Sequence, residues 1–284
     1  MENRYFGPYL ILKKLAEGAF SQIFEVSEKD QNFALKKLKP YLKYDREYIS
    51  LLKTEAALLE KTAGLPHFPR LFRSGEVEGE FYLLLELIEG INLEKAVEIS
   101  FQVGEPKNYS RAAHIVSEIA KGLKQLHAIP LFRDAPTLHG DLRRSNVMVS
   151  SMGEVKLIDL GLKGGTFDYM PLERLHDRIL TPFTDIYALG HILYEVLHGK
   201  RLFKGTSKLE AYCEMRNLKV EDALFDPDIP TPLRKILLRS LHQDPRIRYG
   251  DIVEMTGDLG TYLSKEGQGF KPQELEDWMK NLKK

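Results

Sequence analysis

His139-Gly140-Asp141-Leu142-Arg143-Arg144-Ser145-Asn146-Val147-Met148-Val149 is a polar loop that runs straight into a short apolar strand. The next apolar run, Val155 to Ile158, ends on Asp159-Leu160-Gly161. By residue type Asp141 and Asn146 are turn formers, and an Asp-Leu-Gly at a strand end is an ordinary turn, so either piece alone carries no chemistry. Both in this order do. Phosphoryl transfer needs one carboxylate to orient the attacking hydroxyl and oxygen ligands for the magnesium on the nucleotide. Asp141 suits the first task; Asn146 and Asp159 suit the second.

Upstream, Phe33-Ala34-Leu35-Lys36 puts a lysine on a strand, and Glu55 falls inside the apolar pattern of a helix, where an unpaired carboxylate is costly. A lysine held by a carboxylate can present its ammonium to two phosphates. Leu15 to Ile23, LAEGAFSQI, joins two strands with small residues at Ala16, Gly18 and Ser21. Small side chains let backbone N–H groups approach phosphate oxygens, although a glycine in a hairpin is more often only a turn.

The wider chain divides near Glu86 to Gly90. Before it, Tyr9 to Ala16, Ile23 to Val26, Phe33 to Leu38, Arg70 to Glu76 and Glu80 to Leu87 read as strands, with one amphipathic helix at Asp45 to Thr62 carrying Ile49, Leu52, Ala56 and Leu59 on one face. After it, helix-length apolar faces occupy 93 to 99, 109 to 128, 185 to 198, 207 to 216 and 232 to 242, and Asn146 to Val149 with Val155 to Ile158 read as a hairpin. The fold class is α+β. Residues 1–88 form a small antiparallel sheet with one helix, residues 89–262 a larger, mainly helical part. Residues 263–284 form a linker and a Pro-started amphipathic helix whose Trp278 is expected to pack on that helical part.

The 284 residues carry 41 Lys plus Arg against 41 Asp plus Glu, and 43% are hydrophobic. That balance excludes a disordered chain and argues against nucleic acid as a partner. The single cysteine, Cys213, excludes an internal disulfide and is expected to be a half-buried, inert thiol. No stretch reaches the roughly 20 apolar residues of a membrane span, and the start lacks a signal-peptide pattern, so the expected location is cytoplasmic.

From about Tyr9 to Tyr262 the chain resembles the protein kinases, and more particularly the eukaryotic-like serine/threonine kinases. The resemblance implies a bilobal fold, ATP and Mg2+ as cofactors, and a protein Ser/Thr acceptor. It implies Asp141 as base, Arg143 at the transferred phosphate, Lys36 with Glu55 at the other phosphates, and Asn146 and Asp159 as metal ligands. LAEGAFSQI matches the glycine-rich loop, with Ala16 and Ser21 in place of the first and third glycines. Glu86-Leu87-Ile88 would grip adenine after a gatekeeper Leu85, with Leu15, Ile23, Ala34 and Met148 lining the ring. Gly165 to Glu173, GTFDYMPLE, resembles the end of an activation segment, with Thr166 bonded to the catalytic aspartate. Asp185 would brace the catalytic loop, and Arg248 would pair with Glu173.

Two departures stand out. Gly140 replaces the arginine that receives a segment phosphate in many kinases, and Asp159 to Glu173 spans only 173 − 159 + 1 = 15 residues. Both imply activity without phosphorylation of the segment. An insert, IPLFRDAPT, precedes the catalytic loop. The competing readings are a small-molecule kinase of the aminoglycoside or choline type, which also carries HGDL, and a nucleotide-binding pseudokinase. Arg143 occurs in some tyrosine kinases, which leaves Tyr as the rival acceptor to Ser/Thr.

Overall fold

The computed structural model describes residues 5–132, 135–161, 166–177, 181–205, 207–217, 226–265 and 270–282. The chain forms two compact units, Met1–Glu89 and Gly90–Lys284.

The first unit is a six-stranded antiparallel sheet: β1 (Tyr5–Phe6), β2 (Tyr9–Glu17), β3 (Ser21–Glu28), β4 (Gln31–Leu38), β5 (Leu71–Val77) and β6 (Glu80–Leu85), in spatial order β1-β2-β3-β4-β6-β5. Two of its hairpins turn on two residues that are both left-handed, Lys29-Asp30 (φ 50° and 62°) and Glu78-Gly79 (φ 50° and 77°). This is the turn whose twist matches the flanking strands. Strand alternation sorts β4 into two faces. Phe33 and Leu35 join Phe6, Tyr9, Val26, Tyr82 and Leu84 in one apolar cluster, and Ala34 and Lys36 point the other way. Helix α1 (Arg46–Lys61) packs on β5 and β6 through Leu52, Ala56, Leu58 and Leu59. Its N-terminus is capped by the Asp45 carboxylate, which accepts from the N–H groups of Glu47 and Tyr48.

The second unit opens with β7 (Gly90–Asn92), which completes a three-stranded antiparallel sheet with β10 (Val147–Ser150) and β11 (Val155–Leu157) in the order β11-β10-β7. Gly90 is obligatory there, because a Cβ would lie 2.8 Å from Ser150 Cα. The described helices are α2 (Leu93–Gln102), α3 (Tyr109–His127), α4 (Leu172–Asp177), α5 (Pro182–His198), α6 (Lys208–Asn217), α7 (Thr231–Ser240), α8 (Ile252–Lys265) and α9 (Pro272–Asn281). α5 is buried along nearly its whole length and packs against α3 and α7; it begins at Pro182, three residues before Asp185, and ends at Gly199 in the left-handed region, φ 68°.

Helix α8 and strand β1 are absent from the sequence-based expectation, and so is the short α4. α8 places Ile252, Met255, Leu259 and Tyr262 on its buried face, but Gly257 and Gly260 interrupt its helical propensity. The insert before the catalytic loop folds as a hairpin, β8 (Pro130–Phe132) with β9 (Ala135–Pro136), closed where the Thr137 hydroxyl donates to Ile129 O at 2.6 Å. Residues 133–134 lie outside the described residues. Cys213 is exposed rather than half-buried, since it lies off the α6 face that buries Ala211 and Met215.

Trp278 of α9 is 4% exposed. Its indole N–H donates to Glu105 Oε2 at 2.9 Å, an oxygen that also accepts from Arg111 (3.0 Å) and the Ser100 hydroxyl. Arg111 lies over the indole face, 4.5 Å from its centroid. Helices α5 and α7 approach closely at Gly190, where a Cβ would stand 2.9 Å from Ser240 Cβ. Gly190→Ala would gain about 1 kcal/mol of helix propensity but cost about 1–3 kcal/mol or more in overpacking against α7. The expected result is a net loss of up to about 2 kcal/mol, read as a lowered urea midpoint at unchanged slope.

Candidate active site

In the first unit, cross-strand register puts Ala16 opposite Ile23, Ile23 opposite Lys36, and Ala34 opposite Leu85. Cross-strand partners share a face, so Ala16, Ile23, Ala34, Lys36 and Leu85 line one side of the sheet. Leu15 sits at a register shift in β2 and is 41% exposed. The hairpin that follows is closed by Gly18 N–H donating to Ser21 O at 2.9 Å, and Ser21 itself is buried. Lys36 is 1% exposed and Glu55 of α1 2%, with Lys36 Nζ 2.7 Å and 2.6 Å from the two carboxylate oxygens. Glu86 N–H donates to Arg70 O at 2.8 Å, and its carboxylate accepts from Arg70 N–H, so this part of the linker is tied to the strand edge beside it; Ile88 is half-buried.

In the second unit, Asp141, Arg143, Asn146 and Thr166 meet. Thr166 Oγ1 donates to Asp141 Oδ1 at 3.1 Å and accepts from Arg143 Nη1 at 2.8 Å. Asn146 Nδ2 donates to Asp141 O (2.8 Å) and Asp141 Oδ2 (3.2 Å). Asp159 is brought to this loop by β10 and β11. Val147 pairs with Leu157, Ile158 N–H donates to Asn146 O at 3.0 Å, and Gly161 N–H donates to His139 O at 3.2 Å. Asp159 holds φ 62°, a left-handed backbone uncommon outside glycine, while Leu160 beside it is fully buried. Met148 is half-buried on β10. Residues 162–165, which include the start of GTFDYMPLE, lie outside the described residues.

Asp185 braces the loop. Its carboxylate accepts from His139 N–H (2.9 Å) and Gly140 N–H (3.1 Å), and His127 Nε2 lies 2.9 Å away. Burial pushes this carboxyl up, but the His127 bond and the charge and N–H groups around it outweigh burial and hold it below the usual range. Gly140 has φ 79°, so glycine relieves strain there that an arginine would carry. Arg174 of α4 donates to Gly140 O at 2.8 Å, bringing a guanidinium to this loop from elsewhere in the chain. Arg248 is 2% exposed and binds Glu173 with two nitrogens, at 2.5 Å and 3.1 Å. Sequence reading missed Arg174, His127 and a second arginine of the loop, Arg144, because each acts through a partner distant in sequence.

Residues 9–259 match the model of the protein kinase domain. The chain belongs to the protein kinase domain family. Among curated relatives it is 25% identical to the probable serine/threonine-protein kinase PknB of Lactococcus lactis, over 92% of this chain and 43% of that protein. It is 24% identical to the serine/threonine-protein kinase PrkC of Bacillus subtilis, over 99% of this chain and 45% of the relative. It is 26% identical to the tyrosine-protein kinase MasK of Myxococcus xanthus, over 94% and 45%. The kinase domain thus spans less than half the length of these relatives. The resemblance to eukaryotic-like kinases drawn from the motifs holds, as does the fold class: an antiparallel sheet with one helix, then a mainly helical unit. No helix among the described residues is long and apolar enough to cross a membrane.

Proposed function

We propose that this kinase domain transfers the terminal phosphoryl group of Mg-ATP to Ser or Thr hydroxyls of protein substrates. The observation that carries the reading is the cluster of Asp141, Thr166, Arg143 and Asn146. Asp141 orients the acceptor hydroxyl and takes its proton; Thr166 and Asn146 fix the carboxylate for that task. Arg143 stabilises charge on the moving phosphoryl group, and Lys36, aligned by Glu55, holds the other phosphates. The apolar sheet face of Ala16, Ile23, Ala34 and Leu85, with Leu15 and the backbone of Glu86 and Ile88, suits a purine ring; for Met148 a role at the ring rests on the family resemblance alone.

The donor set fits magnesium. Asn146 commits its amide nitrogen to Asp141, so its oxygen is the end a cation would meet, and Asp159 adds a carboxylate. Magnesium is commonly bound through one or two such ligands plus phosphate oxygens. When bound it would neutralise phosphate charge. A reducing, cytoplasmic setting suits the lone exposed thiol.

The Thr166–Asp141 bond favours Ser/Thr specificity, while one relative bears the name of a tyrosine kinase. Phosphoamino-acid analysis of the product decides between them. The bidentate Arg248–Glu173 pair under the segment supports a platform for protein substrates over a small-molecule acceptor. The intact Lys36–Glu55 pair supports turnover over a pseudokinase.

Between Asp159 and Glu173 the hydroxyl-bearing residues are Thr166 and Tyr169. Thr166 is engaged by Asp141 and Arg143, and Tyr169 is buried with its hydroxyl on Glu195. Neither is free to take a phosphate without breaking the site. Radiolabelled Mg-ATP with a basic acceptor protein is therefore expected to give labelled product, and prior phosphatase treatment is expected to leave the rate unchanged. No labelled product overturns the proposed function; a rate abolished by phosphatase overturns its independence from phosphorylation.

A further inference from the structure

The adjacent arginines of the catalytic loop part company. Arg143 turns to Ser145 and Thr166, whereas Arg144 is 3% exposed and enters the core, with Nε 2.8 Å from Glu195 Oε2 on α5. Glu195 is 1% exposed, and the same oxygen accepts the Tyr169 hydroxyl. A loop, a segment and the central helix thus meet on one carboxylate.

Stability does not account for this cluster. Desolvating two ions offsets most of their attraction, and apolar side chains of the same volume usually serve a core as well or better. Burial pushes the Glu195 carboxyl up to about 7 even with the guanidinium beside it, and pushes the Tyr169 phenol up as well. Arg144 Nε and Nη1 align with no hydrogen-bond acceptor among the described residues, so charge and shape hold the guanidinium rather than a two-pronged fork.

Geometry does account for it. Arg144 begins the single turn Arg144–Asn146, and Asn146 is the residue whose amide grips Asp141. Tyr169 ends the single turn Phe167–Tyr169, which Thr166 precedes with its hydroxyl on the same aspartate. Fixing both turns to Glu195 fixes both hydrogen bonds to Asp141. We propose that Arg144 is a positioning residue for phosphoryl transfer, clamped by Glu195 together with Tyr169 so that Asn146 and Thr166 hold Asp141 in one orientation. The proposal rests on the protein kinase reading above.

The test uses Arg144→Met, Arg144→Lys and the triple variant Arg144→Met/Tyr169→Phe/Glu195→Leu, with steady-state kinetics, thermal unfolding and amide exchange over residues 141–146. Arg144→Met is expected to lower kcat by about 10²-fold with KM for ATP within about twofold, since misplacement near 1 Å has effects of that order. Arg144→Lys, which keeps the charge, is expected to recover most of the rate. The triple variant removes all three polar members of this cluster together and is expected to regain stability while kcat stays low and exchange at 141–146 stays fast. A triple variant as active as wild type, or an Arg144→Met with unchanged kcat per folded molecule, overturns the proposal. If the wild-type chain transfers no phosphate, the protein kinase reading fails separately. Exchange then decides the clamp: fast exchange in the stable triple variant supports it, and wild-type exchange overturns it.

Discussion

Asp141→Asn is expected to leave the fold and nucleotide binding intact and to lower kcat by roughly 10²–10⁴-fold, the usual share of a positioned general base. The substitution is conservative in shape. An asparagine oxygen can still accept from Thr166, and the bond from Asn146 Nδ2 to the backbone carbonyl at 141 does not involve the side chain. What disappears is the negative charge, the ability to take a proton and the bond from Asn146 Nδ2 to Asp141 Oδ2. KM for ATP should therefore stay near the wild-type value. The measurement is a kinetic comparison of the two proteins at matched folded fraction; a variant within fivefold of wild type removes Asp141 from the role assigned to it.

The second large effect is at Lys36. Lys36→Met removes the ammonium that the Glu55 carboxylate, 2% exposed, holds with both oxygens. Breaking one side of a buried pair costs about 3–5 kcal/mol, so lost activity and lost stability arrive together. Lys36→Met/Glu55→Leu separates them, because an apolar pair of similar volume removes the buried carboxylate as well. The expected outcome is a melting temperature back near wild type with phosphoryl transfer still lower by about 10²–10³-fold, the scale of a lost electrostatic contact to the transition state. Recovery of wild-type turnover in the double variant would show that the pair serves packing alone.

The parts of the fold legible in sequence were those governed by local pattern. Short apolar runs bounded by turns marked β2 to β6, and an apolar face recurring every three or four residues marked α1 within one residue at either end. Lys29-Asp30 forms its turn without glycine, since Asp tolerates the left-handed region. Where glycines fell inside an element the pattern failed, as at Gly257 and Gly260 of α8, which lower helix propensity although open space surrounds both. The site divides the same way. Asp141, Asn146 and Asp159 announce themselves because the roles proposed for them follow from residue type and short spacing. Arg144, Arg174 and His127 do not, because their partners Glu195, Gly140 and Asp185 lie in other elements and only tertiary packing brings them together.

The Glu105 carboxylate gives this architecture a timetable. Two of its donors, Ser100 and Arg111, leave the ribosome within a few residues of it, but the third, the Trp278 indole, follows 173 residues later. At translation speeds of about 5–20 residues per second that interval is roughly 10–35 s. During it the surface that receives Leu275, Trp278 and Met279 is open to water and to chaperones. Closure of the helical unit thus waits on α9, long after α2 and α3 have been made.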